Sequence, residues 1–229
     1  MTRAVAVIPA RGGSKRIPRK NIREFAGRPI IEHSIAAARS VDAIERVVVT
    51  TDDAEIAEVA RRAGAEVPFE RPAELADDSS STDAVLQHAL RALRGEGSAF
   101  DVAVCLYATA PFVRPADLRG GLDVLRREGA TSVISVAEYP SPIQRAMHIV
   151  DGRLEMVDPS TRLVRSQDLP KRWHDAGQFY VVDVDAYLEE GRLYSRHAVP
   201  FVLERQRAVD IDEMSDWVLA ETMYRVLEG

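Results

Sequence analysis

Short apolar runs alternate with helical stretches over the first 136 residues, and no other feature restricts the possible fold as much. Residues 5–8 form a fully apolar strand closed by Pro9. Gly27-Arg28-Pro29 leads into a helix to about residue 39, with Ile30, Ile31, Ser34, Ile35 and Ala38 along one side. After a strand at 46–50, Thr51-Asp52-Asp53 caps a helix that stops at Gly64. Further strands are expected at 65–69, 100–106 and 131–136, with helices at 83–93 and 115–127 between them. Apolar strands separated by helices predict an α/β, Rossmann-like fold, its mainly parallel sheet covered on both faces and connected by right-handed crossovers.

The pattern breaks after Ala137. Prolines 140, 142, 159 and 170 and a hairpin-like Val150-Asp151-Gly152-Arg153-Leu154 mark an excursion over 138–175. Strand character returns at 179–184 and 198–203. A last helix at 214–227 carries Trp217, Ala220, Tyr224 and Leu227 on one stripe that should pack on the core. One domain spanning 1–229 is expected.

Composition narrows the function. No stretch approaches the roughly 18 apolar residues of a membrane span, and Met1-Thr2-Arg3 runs into a strand without the apolar core of a signal peptide, so a cytoplasmic location is expected. The single cysteine, Cys105, lies in an apolar strand and excludes an internal disulfide. A net charge of −6, from 30 basic and 36 acidic residues, argues against general nucleic-acid binding.

Against that acidic background, residues 11–20 hold five cations: Arg11, Lys15, Arg16, Arg19 and Lys20. Gly12 and Gly13 let backbone N–H groups approach anionic oxygens. The loop follows the first strand, where α/β proteins bind ligands, and its spacing is neither a P-loop nor Gly-x-Gly-x-x-Gly. A polyphosphate suits it. Near the other end, Asp210 and Asp212 are two apart on an extended segment and can share one face around a hard cation, although Asp212 could instead cap the last helix. Asp52 and Asp53 read as capping residues.

The run Pro-Ala-Arg-Gly-Gly-Ser-Lys-Arg-Ile-Pro-x-Lys-Asn at 9–21 resembles the signature loop of the CMP-sugar synthetases, cytidylyltransferases that activate acidic sugars with CTP. The resemblance implies that Arg11 and Lys20 contact the triphosphate and act in catalysis, with Ala10, Gly12, Gly13, Ser14, Lys15 and Asn21 completing the cradle. Residues 71–78 resemble the family's second motif. There Arg71 would bind the nucleotide, while Ser80, Ser81 and Thr82 lie either near base and ribose or in a helix cap. Asp210 and Asp212 match the family's Mg²⁺-binding aspartates and would act in catalysis through that ion.

Tyr107-Ala108-Thr109-Ala110-Pro111 stands where sialic acid synthetases carry Gln-Pro-Thr-Ser-Pro, so Tyr107 and Thr109 are implied to face the sugar. The segments 143–146, 165–169 and 174–180 resemble the subgroup that activates pseudaminic acid. Arg165 would fork the sugar carboxylate, and Gln144, His174, Asp175 and Gln178 would meet its hydroxyl and acylamino groups. The excursion 138–175 is implied to be a dimerisation and sugar-binding element of a homodimer. The expected reaction is CMP transfer from CTP to the anomeric hydroxyl of a nine-carbon acidic sugar, with no single side chain standing out as general base. Legionaminic acid, sialic acid and Kdo are the alternative sugars, and a nucleotide sensor without turnover is the alternative of another class.

Overall fold

The computed structural model describes residues 3–77 and 79–228. Asp78 of the second motif and the initial Met1-Thr2 lie outside them. In chain order the elements are β1 (Ala4–Pro9), β2 (Glu24–Phe25), β3 (Arg28–Pro29), α1 (Ile30–Arg39), β4 (Ile44–Thr50), α2 (Ala54–Arg62), α3 (Thr82–Gly95) and β5 (Val102–Leu106). They continue with α4 (Pro115–Glu128), β6 (Ser132–Glu138), β7 (Met147–Val150), β8 (Arg153–Met156), β9 (Trp173–Asp183), α5 (Val184–Glu190), β10 (Ala198–Val202) and α6 (Met214–Glu228).

Six strands form the central sheet in the order β10-β6-β9-β5-β1-β4. β1 runs parallel to β4 and β5, and β6 parallel to β10, while β9 is antiparallel to both β5 and β6. The sheet is therefore mainly parallel. Strand alternation divides its side chains between two cores. Ala6, Ile8, Val49, Val104 and Val181 pack with α1, α2 and α4 on one face, while Val7, Val48, Ala103, Cys105 and Val182 pack with α3 and α5 on the other. Chain order crosses from β4 to β5 over β1, so the switch in strand order falls at β1, where open α/β sheets leave a crevice beyond the strand ends.

Two differences from the sequence reading have physical causes. The strand expected at 65–69 reduces to one parallel bridge between Val48 and Glu66, because Pro68 has no N–H to continue a ladder. Within the last helix, Trp217 and Ala220 are buried in a third core cluster with Ile17, Phe25 and Ile211, but Leu227, in the last turn and beyond that cluster, is exposed. Helix α2 starts as the sequence suggests: Asp53 accepts from the Ile56 N–H, and Gly64 has the positive φ of a helix stop.

The excursion leaves the sheet at the end of β6 and returns on β9, whose first residues still pair with β6 through Glu138 and Trp173. Between them β7 and β8 form a separate two-stranded hairpin with Ile149 opposite Leu154. Both side chains are more than two-thirds exposed, at 77% and 70%.

Candidate active site

A cleft of about 310 Å³ opens beyond the carboxyl ends of β1 and β5. The N-terminal loop enters it through Arg11, Ser14, Lys15, Arg16, Lys20 and Asn21; Arg71, Ser80 and Thr82 come from the segment before and into α3. Tyr107 and Thr109 follow β5, and Asp212 arrives from the far end of the chain. Residues separated by about 200 positions thus share one cavity.

The loop is held in shape from below. Gly12 N–H donates to Asp52 Oδ1 at 3.0 Å, and a Cβ on Gly12 would lie 2.7 Å from Asp53 Oδ2, so glycine is required by close approach. Arg19, in the left-handed region at φ 57°, forks onto both Asp53 oxygens at 2.5 and 2.9 Å and reaches Glu55. The Arg19 hydrogen bonds hold the Asp53 carboxyl at about 2, against burial that would raise it. Asn21 Nδ2 donates to the Arg11 carbonyl at 2.9 Å, tying loop start to loop end. Ala10 is buried, with its N–H on the Thr50 carbonyl. No atom lies within 4 Å of a Cβ position on Gly13, so close contact within the chain does not require a glycine there.

Arg71 is buried at 4% exposure. Its Nη2 donates to the Thr50 carbonyl at 2.5 Å, and burial pulls its pKa down to about 10, with Asp52 opposing that shift and Arg11 adding to it. A guanidinium still cationic in so dry a setting favours an anionic ligand beside it. Ser80 donates to the Glu74 carbonyl and to Asp77 and keeps its place on the cleft wall. Ser81 occupies the cap position, its hydroxyl accepting from the Ala84 N–H as the N-cap of α3.

Asp212 accepts from Arg16 at 2.9 Å and from Lys20 at 3.4 Å. Asp216, in the first turn of α6, accepts from the N–H groups of Asp212 and Glu213 and so fixes the backbone that leads into the helix. Ile211 is buried, so the carboxylates on either side of it turn away from the core. Asp210 is outside the cleft wall, over Gly177, 3.7 Å from the point a Cβ there would occupy. Desolvation of its packed side and then repulsion from Asp212 raise its pKa, while Lys20 and Arg16 oppose the rise. Two carboxylates that repel each other beside a cationic loop have the chemistry to hold a hard divalent ion. Among the described residues no group of three or more His, Cys, Asp or Glu forms a complete protein-only cage.

The residues assigned to the sugar separate into three groups. Tyr107 and Thr109 line the cleft. Tyr107 Oη is 2.7 Å from Thr82 Oγ1 and 3.4 Å from Tyr180 Oη, and Tyr180 donates to Asp175 Oδ2 at 2.7 Å. Asp175 also accepts from Tyr194 and from the Gly177 N–H, and so lies one hydroxyl chain away from the cleft. His174 tilts against Tyr139 at 4.9 Å between ring centres. Gln178 is buried beneath the Asp210 segment. Gln144 and Arg165 sit on the excursion: Gln144 Nε2 donates to the Pro170 carbonyl, and exposed Arg165 pairs with Asp168 at 3.8 Å. Neither lines the cleft of its own chain.

Sequence reading offered Thr82 only a place near base and ribose or in a helix cap, not its bond to Tyr107, and passed over the anchoring role of Asp52 and Asp53. It also passed over Arg207, whose buried fork onto Asp117 at 2.5 and 3.0 Å ties the approach to Asp210 onto α4. An Asp-Asp pair at the end of a strand, facing a cationic loop, was the available signal for Asp52 and Asp53.

A Rossmann-like sheet with a cationic loop and a late carboxylate around one cleft defines a nucleotide-binding α/β protein. The cytidylyltransferase family model matches residues 5–223, and the chain belongs to that family. It is 40% identical over 223 residues to the pseudaminic acid cytidylyltransferase of Campylobacter jejuni, covering 97% of this chain and 96% of that one. Identity to the CMP-N,N'-diacetyllegionaminic acid synthase of Legionella pneumophila is 34%, over 96% of each chain. Among solved structures, a CMP:2-keto-3-deoxy-manno-octonic acid synthetase complexed with CTP superposes with a TM-score of 0.72 at 18% identity, covering 98% of this chain and 99% of that one. No helix among the described residues is long and apolar enough to cross a membrane.

Proposed function

We propose that this chain transfers CMP from CTP to the anomeric hydroxyl of pseudaminic acid and releases pyrophosphate. The observation that carries the reading is the shared cleft of Arg11, Lys20, Arg71 and Asp212. Arg11, Lys15 and Lys20, with the backbone of Gly12 to Ser14, bind and orient the triphosphate so that its α-phosphorus faces the sugar. Arg71 and Ser80 hold the nucleoside end. Asp210 and Asp212 would hold Mg²⁺, which supplies neutralisation of phosphate charge when bound. Tyr107 and Thr109 meet the sugar, and the hydroxyl chain from Thr82 through Tyr107 and Tyr180 to Asp175 orients the Tyr107 hydroxyl. Pseudaminic acid is preferred to legionaminic acid, sialic acid or Kdo because similarity is greater to the Campylobacter protein than to the Legionella one.

The excursion 138–175 is the dimerisation and sugar-binding element of this single domain. Its exposed Ile149 and Leu154 support that reading, since a hairpin with an uncovered apolar pair is marginal alone in water. Gln144 and Arg165 then act from the excursion of one protomer on the cleft of its partner.

The test is pyrophosphate release with Mg²⁺ across four nucleoside triphosphates and a panel of acidic sugars. CTP with pseudaminic acid should give the highest kcat/KM. Preference for N-acetylneuraminic acid would overturn the sugar assignment, and CTP binding without turnover on any sugar would favour a sensor.

A further inference from the structure

Opposite Ser135 the sheet is irregular. From Ile134 to Val136 β6 advances two residues, whereas its pairing on β9 moves from Tyr180 to Asp175, a step of five. The surplus, Ala176-Gly177-Gln178, forms a bulge, a device that re-aims side chains beside functional sites. Gly177 takes φ +60° there. Gln178 is completely buried, and the two hydrogens on its Nε2 are shared among the carbonyls of Ala176 at 3.0 Å, Gly177 at 3.2 Å and Val209 at 3.1 Å. Three acceptors around one atom fix the amide orientation, since a flipped amide would set oxygen against three oxygens.

The third bond leaves the sheet and fastens the residue before Asp210. On the other side of Asp210, Lys20 Nζ holds the Ile211 carbonyl at 2.7 Å. The peptide unit before Asp210 and the one after Ile211 are therefore held, which brackets Asp210 with its carboxyl over Gly177. Packing alone does not account for an amide at this position, because Gln178 Oε1 is buried without a hydrogen-bond partner. An apolar side chain would fill the core without that defect, whereas only a donor reaches Val209.

We propose that Gln178 is a positioning residue which, through the Val209 carbonyl, fixes the Asp210 carboxylate for the divalent cation, instead of touching the sugar. The inference rests on the reading of Asp210 and Asp212 given above.

The near-isosteric Gln178→Met removes the donor and the orphan oxygen together. Mn²⁺ binding in the presence of CTP, read from the paramagnetic resonance of free Mn²⁺, should weaken about tenfold or more, the usual scale for losing a group behind a metal ligand. The Mg²⁺ concentration for half-maximal pyrophosphate release should rise in parallel, with the KM for sugar shifted less than about twofold. If Gln178→Met does not fold, Gln178→Asn, which keeps the amide but is one methylene short of Val209, is held to the same tenfold criterion. Unchanged Mn²⁺ binding, or a rise confined to the sugar KM, overturns the proposal. Asp210→Asn separates the two layers: normal Mn²⁺ binding by that variant overturns the cation-site reading itself, whereas loss in Asp210→Asn with none in Gln178→Met overturns only the role of Gln178.

Discussion

Lys20 Nζ donates to the carbonyl oxygen of Ile211 at 2.7 Å, across 191 residues of sequence. The same ammonium lies 3.4 Å from Asp212 Oδ1, so one side chain joins the cationic loop to the acidic segment and also faces the cleft. Lys20→Met keeps the apolar stem and removes only the charge and the donors. Turnover at saturating CTP is expected to fall at least about a hundredfold, the scale of losing one preorganised electrostatic partner. Pyrophosphate release by the purified, folded variant measures it, and near-native turnover would remove Lys20 from the chemistry.

Asp53 gives a prediction with a pH signature. Its carboxyl is depressed from 3.8 to about 2, first by the Arg19 hydrogen bonds. The ionised form is the one stabilised, so its contribution to stability is present above pH 3.8 and is lost as pH falls through about 2. Between those values the wild type should lose more unfolding free energy than Asp53→Asn. At neutral pH the variant slackens the loop over the cleft, and KM for CTP should rise about tenfold with KM for sugar little changed. Acid titration followed by circular dichroism and steady-state kinetics check the two halves, and equal acid sensitivity of both proteins would sink the first.

The cationic loop and the Asp210, Asp212 pair were legible in the sequence because each is a local run whose spacing carries its own geometry. Asp53 was half legible. Its cap on α2 is local, but its other contact, with Arg19, is 34 residues away and leaves no pattern. The insertion of β9, antiparallel, between β5 and β6 was hidden for a related reason: strand apolarity reports burial, not direction or neighbour. Gln178 shows the limit most clearly. A glutamine beside a positive-φ glycine reads as a turn or ligand residue, and only the bulge reveals that its amide faces Val209.

The excursion should dimerise the chain. Ile149 and Leu154 face each other across β7 and β8 at 77% and 70% exposure, and Leu163, further along the excursion, is 91% exposed. Replacing the pair by Ile149→Glu and Leu154→Glu inserts two charges into any interface they form, at a cost of several kcal/mol. Sedimentation equilibrium at about 10 μM should give a dimer for the wild type and a monomer for the double variant, well above a typical sub-micromolar dissociation constant. A monomeric wild type would end the dimerisation reading of 138–175.

His33 predicts how acid acts on the other end of the molecule. Its ring is buried between α1 and α6, with Nε2 donating to the Phe25 carbonyl at 3.1 Å. Nδ1 then has a single lone pair, which faces the donors Tyr224 Oη at 3.1 Å and Arg28 Nη2 at 3.0 Å and is available only in the neutral ring. Burial, and then the Arg28 charge, pull its pKa below 6.5, against the Phe25 hydrogen bond that raises it. The unfolded chain therefore binds a proton that the folded chain refuses, so His33 stabilises the fold above pH 6.5 and that contribution shrinks as pH falls below it. One such proton gives a slope of at most about 1.4 kcal/mol per pH unit. Urea unfolding at stepped pH should show this slope in the wild type and a shallower one in His33→Gln, whose overall stability is lower because the ring packing is lost. Because Tyr224 belongs to the helix that begins just after Asp212, protonation of His33 loosens α6 from the Phe25 turn before the central sheet is disturbed. Earlier amide exchange in α6 than in β1 or β5 at low pH is the expected pattern, and identical pH slopes in wild type and His33→Gln would show that His33 is not the group responsible.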